Sequence, residues 1–188
     1  MRVALVGGSF DPPHLAHQVA CLYLLQGEGF GQVWLLPCFR HAFGKPLAPY
    51  QHRLAMCRLL AAPFGDGVQV SEVESELIPT EGVNRTVDTV ETLQRRHPGL
   101  DFSFVIGSDL LSQVPAWKEF ARLRGMLPFL VLQRPGFTAR PEGFCYSSIA
   151  LPEISSTVVR ERLAQGQPLA GLVPVEVARY LEQHQLYR

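Results

Sequence analysis

Residues 3–17, VALVGGSFDPPHLAH, decide how this chain is read. A β-branched apolar run ends in Gly7-Gly8, Asp11-Pro12-Pro13 builds a turn, and a stretch of helical period begins at Leu15. The order is strand, tight turn, helix, with proline suited to the helix start. Such a turn presents backbone N–H groups to a phosphate, because glycine permits close approach and the helix N-terminus adds a favourable dipole. No Gly-Lys-Ser/Thr follows, so it is not a P-loop, and it is not the GxGxxG dinucleotide fingerprint either. His14 and His17 are three residues apart, which on a helix puts both imidazoles on one face of its first turn, close to any bound phosphate. A bland explanation, histidines that merely flank a turn, suits one imidazole better than two behind Gly-Gly.

Outward from this unit the same pattern recurs. Runs at 33–37, 102–107 and 129–133 read as buried strands, 68–74 (VQVSEVE) alternates like a strand, and 146–151 makes a last, shorter one. Helical periods fall at 15–26, burying Val19, Leu22 and Tyr23 or their neighbours, and at 50–61. They recur at 86–97 with Val90 and Leu93 inward, at 118–126, 157–165 and 175–183. Pro98-Gly99 stops the third of these where a helix end is expected. Alternating strands and helices imply an α/β fold, a Rossmann-like, doubly wound parallel sheet with helices on both faces. With no repeat and no low-complexity linker, residues 1–188 are read as a single domain.

Composition narrows the function classes. Hydrophobic residues make up 47% and charged ones 18% of 188, which fits a globular core rather than disorder. Net charge is zero and gives no global reason to expect nucleic acid or an anionic membrane as partner. Cys21, Cys38, Cys57 and Cys145 are scattered, so reduced thiols in a cytoplasm are expected rather than a disulfide framework or zinc site. No apolar run approaches the ~20 residues of a membrane span.

Charge is nevertheless uneven. Residues 29–65 hold no carboxylate but carry Arg40, Lys45, Arg53 and Arg58, with His41 and His52 beside them. Residues 66–91 hold seven acidic residues against Arg85 alone. Two oppositely charged solvated surfaces would explain this, yet Arg40 and Lys45 follow a strand directly, at the sheet edge where open α/β folds bind ligands. A second anion site lies at residues 154–160, ISSTVVR. Ser155 or Ser156 is a natural helix N-cap, and capping alone would explain the hydroxyls. Hydroxyls, N–H groups and Arg160 one turn inside also suit phosphate, and two such helix starts suit a polyphosphate.

GGSFDPPHLAH resembles the GxFDPxHxGH signature, and ISSTVVR the ISSTxxR signature, of the HIGH-type nucleotidyltransferases. FVIGSDLL (104–111), PAWKEF (115–120), LQRPG (132–136) and YLEQHQLYR (180–188) extend the resemblance over nearly the whole chain, to the bacterial nicotinate mononucleotide adenylyltransferases. The resemblance implies transfer of AMP from ATP to nicotinate mononucleotide, with Mg2+ carried mainly by the ATP phosphates. Gly7, Gly8, Ser9, Phe10, His14 and His17 would receive ATP phosphates from one side. Ile154, Ser155, Ser156, Thr157 and Arg160 would hold them from the other, with Lys45 reaching the same charge. Gly107 and Asp109 would stand at the ribose, unless Asp109 is a plain helix cap. The mononucleotide would meet Ser9, Lys45, Thr86, Trp117 and Arg134, with the indole stacking on the pyridinium ring or simply packing beside a helix. No protein metal ligand is expected, and a homo-oligomer is compatible with the sequence.

Three positions depart from the family pattern: Ala16 replaces glycine, Arg85 stands where tyrosine is usual, and residues 38–49 keep only Lys45 of a Pro-His-Lys order. Arg85 would bind the nicotinate carboxylate bidentately or simply answer the acidic surface. Nicotinamide mononucleotide or another phosphorylated acceptor, and a non-catalytic nucleotide-binding module, are the competing readings. A relative of the class I tRNA synthetases finds no basic surplus to support it.

Overall fold

Strands buried on both faces need continuous apolar runs, and the chain supplies them in parallel register. The computed structural model describes residues 1–40, 44–77 and 84–188. His41 and Glu81, members of the basic and acidic stretches, lie outside the described residues. The strands are β1 (Arg2–Gly8), β2 (Gln32–Pro37), β3 (Val68–Val70), β4 (Asp101–Gly107), β5 (Phe129–Gln133) and β6 (Cys145–Ala150). They form one six-stranded sheet in the order β3-β2-β1-β4-β5-β6, with every neighbouring pair parallel. Leu5 of β1 stands opposite Trp34 on one side and Phe104 on the other. The order reverses between β1 and β4, and the carboxyl ends of those two strands therefore flank a crevice.

Alternate side chains build two core layers. Ala4, Val6, Val33, Leu35 and Val105 face one way, where α1 (Leu15–Gln26), α2 (Tyr50–Ala61), α6 (Ser156–Ala164) and α7 (Val175–Gln183) close over them. Val3, Leu5, Trp34, Phe104 and Val131 face the other, covered by α3 (Val73–Glu76), α4 (Thr86–Arg96) and α5 (Phe120–Met126). Helices on both faces are the doubly wound arrangement expected from the sequence. Val90 and Leu93 of α4 are buried as read.

Two expectations need correction. In α1 the buried residues are Ala16, Ala20, Cys21 and Leu24, while Leu22 is 52% exposed and Val19 and Tyr23 are half-buried. The helix is apolar on most of its surface, so its sequence does not single out the core face. The alternation at 68–74 is a strand only to Val70; Ser71 Oγ then accepts the Val73 N–H at 3.3 Å and the chain turns into α3. The cysteines are free, with Cys21 and Cys57 buried. No helix among the described residues is long and apolar enough to cross a membrane.

Candidate active site

β1 delivers Gly7 and Gly8 to the crevice, and their lack of a side chain has a packing reason there. A Cβ on Gly7 would meet the Phe104 ring at 2.9 Å. Beyond them Phe10 takes φ 46°, a left-handed conformation unusual for a bulky residue. His14 is not the first helical residue but the N-cap of α1, with extended backbone, and His17 sits three residues on. The two rings still stack, with centroids 3.8 Å apart, and Phe10 lies 4.8 Å from His17. The His14 backbone N–H donates to His17 Nδ1 at 3.1 Å. That bond makes Nδ1 an acceptor and leaves the His17 proton on Nε2.

Burial holds both imidazoles neutral. His17 is lowered from 6.5 to about 3 by burial and then by the Arg134 charge. His14, 2% exposed, is lowered further, by burial, by His17 and by Arg134. Its Nδ1 finds no hydrogen-bond partner among the described residues. The α1 terminus is less available to an anion than the sequence implied, because the Leu15 N–H donates to the Leu172 carbonyl at 2.8 Å.

α6 begins directly across from this turn. Ser155 is its N-cap and accepts the Val158 N–H at 3.3 Å, and Ser156 Oγ donates to the Pro12 carbonyl at 2.9 Å. Arg160 donates to the Asp11 carbonyl at 2.6 Å and to Thr157 Oγ1 at 3.2 Å. At the end of β4, Asp109 does not cap a helix; its Oδ1 lies 3.3 Å from Arg134 Nε, and Arg134 also donates to the Ile154 carbonyl at 3.2 Å. A Cβ on Gly107 would fall 2.2 Å from that Asp109 oxygen, so the pairing requires glycine. Arg134 thus joins the β4 end to the α6 start.

These groups surround one cavity of about 550 Å³, a size suited to a small-molecule site. Gly7, Gly8, Ser9, Phe10, His14 and His17 line one wall, with Ser155 and Ser156 beside them. Gly107, Asp109 and Arg134 line a second wall, and Arg85, Thr86 and Trp117 a third. Trp117 lines the cavity and packs edge-on to Phe104, 5.9 Å between centroids, so the packing reading of the indole holds. Ala16 is buried and lines the cavity, its methyl standing where glycine was expected. Lys45 is exposed on the segment before α2; it, Ile154, Thr157 and Arg160 are not in the cavity wall.

The cytidylyltransferase-like family matches residues 5–162. The probable nicotinate-nucleotide adenylyltransferase of Anaeromyxobacter dehalogenans strain 2CP-C is 44% identical over 187 residues, covering 100% of this chain and 97% of the relative. The nicotinate-nucleotide adenylyltransferase of Bacillus subtilis is 31% identical over 189 residues, covering 99% and 98%. The chain belongs to the nicotinate-nucleotide adenylyltransferase family, within the cytidylyltransferase-like proteins. The fold of a Plasmodium falciparum nicotinic acid mononucleotide adenylyltransferase complexed with NaAD superposes with a TM-score of 0.83 at 22% identity, covering 99% of this chain and 97% of that one.

For a nicotinate-nucleotide adenylyltransferase, the turn after β1 carries more support than its motif discloses. Arg53, only 1% exposed, donates to the carbonyls of Ser9 at 2.8 Å, Ala48 at 2.9 Å and Phe39 at 3.4 Å. The sequence did hold a signal for it, an arginine on the apolar stripe of α2 between Tyr50, Leu54 and Cys57. Glu74 was missed because its segment read as a strand. It lines the cavity, accepts the Phe39 N–H at 3.0 Å, and is raised from 4.5 to about 7 by burial. Among the described residues no group of three or more His, Cys, Asp or Glu is arranged to hold a metal ion.

Proposed function

We propose that the chain transfers AMP from ATP to nicotinate mononucleotide, giving deamido-NAD and pyrophosphate. The observation that carries this reading is the pairing of two unlike anion sites, the His14–His17 turn and the α6 start, on one cavity. The curated relatives named for this activity, matched over nearly their full length, support it.

The reaction needs little from protein bases. A phosphate oxygen of the mononucleotide, already ionised at neutral pH, forms a bond to the α-phosphorus of ATP. The bond from that phosphorus to the oxygen bridging to the β-phosphate breaks, and pyrophosphate leaves with the electron pair. The protein's part is alignment and stabilisation of charge on the leaving group. Neutral His17 donates from Nε2, and the Ser155 hydroxyl, its own proton unspent in the cap, approaches from the facing helix, while Ser156 is committed to Pro12. Lys45 and Arg160 add positive charge from outside the wall. Magnesium would come with ATP, held mainly by its phosphates and water. Trp117 offers a face to the pyridinium ring, and Arg85 a flat, bidentate partner to its carboxylate.

Pyrophosphate release from ATP, followed with a panel of mononucleotides, tests both reaction and acceptor. Release is expected with nicotinate mononucleotide and much less with nicotinamide mononucleotide, and Arg85→Ala should narrow the ratio of the two kcat/KM values. No release with any acceptor would leave a nucleotide-binding module; an unchanged ratio would remove Arg85 from carboxylate recognition.

A further inference from the structure

The residue behind the phosphate turn, Asp11, is 2% exposed and takes no part in the cavity wall. Its Oδ1 accepts the Tyr187 hydroxyl at 2.6 Å and the Ala48 N–H at 3.0 Å. Its backbone carbonyl accepts Arg160, and its Oδ2 lies 3.8 Å from the same guanidinium. On either side, Ser9 is held at its carbonyl by Arg53 and Pro12 at its carbonyl by Ser156. Four consecutive residues are thus flanked by ties from α2, α6 and the C-terminal segment. The untied one, Phe10, has the left-handed φ. A bulky residue persists in that region only where its surroundings over-determine it. Phe10 in turn contacts His17, whose ring reaches the cavity.

We propose that Tyr187, acting through Asp11, is a positioning residue that holds the Phe10 turn and so aims His17 at the ATP phosphates. Arg53 anchors the same turn from its other side. The phenol is a durable donor for this purpose, since burial and the Asp11 carboxylate both push its titration above the ordinary tyrosine range. Tyr187 lies 176 residues from Asp11 in the chain, so the tie joins the C-terminal segment to the first turn. The proposal rests on the reading of that turn as a phosphate site.

The test uses the full chain with Tyr187→Phe, Asp11→Asn and both together, alongside His17→Ala, measuring kcat, both KM values and Tm. Tyr187→Phe keeps the ring but takes a hydrogen bond from a buried carboxylate, so kcat should fall about tenfold with the KM for nicotinate mononucleotide held, while Tm falls by only a few degrees and the variant stays folded at the assay temperature. The double variant should lose no more than Asp11→Asn alone, because the phenol acts only through that carboxylate. A kcat within twofold of wild type, a loss that disappears when both proteins are assayed well below their Tm, or multiplicative losses in the double variant would overturn the tie. Should Asp11→Asn not fold, the kcat of Tyr187→Phe, read well below its Tm, decides alone. His17→Ala at wild-type rate would instead remove the phosphate reading of the turn, and the tie's purpose with it; an impaired His17→Ala beside a normal Tyr187→Phe removes only the tie.

Discussion

A neutral histidine pair at a turn proposed to receive a polyanion runs against the simplest electrostatic expectation, which would place charged imidazolium there. Burial decides otherwise at His17, whose titration falls from 6.5 to about 3. Hydrogen-bond donation from Nε2 survives over the whole physiological range, because no proton needs to be gained or lost. The cost appears in acid. Between those two values the unfolded chain takes up a proton that the folded protein refuses, so the stability present above about 6.5 is lost as pH falls toward about 3. Thermal unfolding between about pH 7 and about pH 5 should therefore show a falling Tm in the wild type and a flatter profile in His17→Gln, which removes one of two depressed imidazoles and leaves His14 and Glu74 in place. Parallel profiles would show that the ring protonates in the folded state. Both histidines were legible in the sequence, but their neutrality was not. It depends on Phe10 and on neighbours such as Arg134 that are distant in sequence.

The helix α6 carries two duties at one residue, and they are separable. Ser155 caps the helix and also lines the cavity. Replacing an N-cap serine with alanine costs about 1 kcal/mol, whereas glycine costs only a few tenths. Ser155→Gly should thus keep a near-native Tm and raise the KM for ATP severalfold, since the hydroxyl proton is the group offered to phosphate. An unchanged KM would confine Ser155 to capping. The start of α6 was readable because a capping serine leaves a local mark, as the glycine and proline punctuation did around α1 and α4. The segment after β3 was not, because period-two alternation over seven residues fits a strand as well as it fits three strand residues and one helical turn. The Ser71 hydroxyl breaks the tie by bonding to the backbone two residues on. That turn places Glu74 in the cavity, on a wall the sequence had not populated.

The molecule as a whole explains which site residues local pattern could find. The sheet order reverses between β1 and β4, so the cavity draws one wall from residues 7–17, another from the ends of β4 and β5, and others from α4 and α6. Motifs at the strand ends announce themselves. The supports behind them, Arg53 to Ser9 and Tyr187 to Asp11, span 44 and 176 residues; the apolar stripe of α2 marks Arg53 as buried, but nothing local names the partner of either. A ligand that touches walls from both halves of the sheet favours the folded chain by RT ln(1 + [L]/Kd), about 2.7 kcal/mol at a hundredfold excess over Kd. A non-hydrolysable ATP analogue should therefore raise Tm in a concentration-dependent way, and His17→Ala should need more analogue for the same shift. On the proposed assignment to Trp117 and Arg85, nicotinate mononucleotide should raise Tm equally in wild type and His17→Ala, because those residues lie on a different wall of the same cavity. If the histidine variant weakened both ligands alike, the two substrates would share the turn, and the division of the cavity into a triphosphate half and an acceptor half would fall.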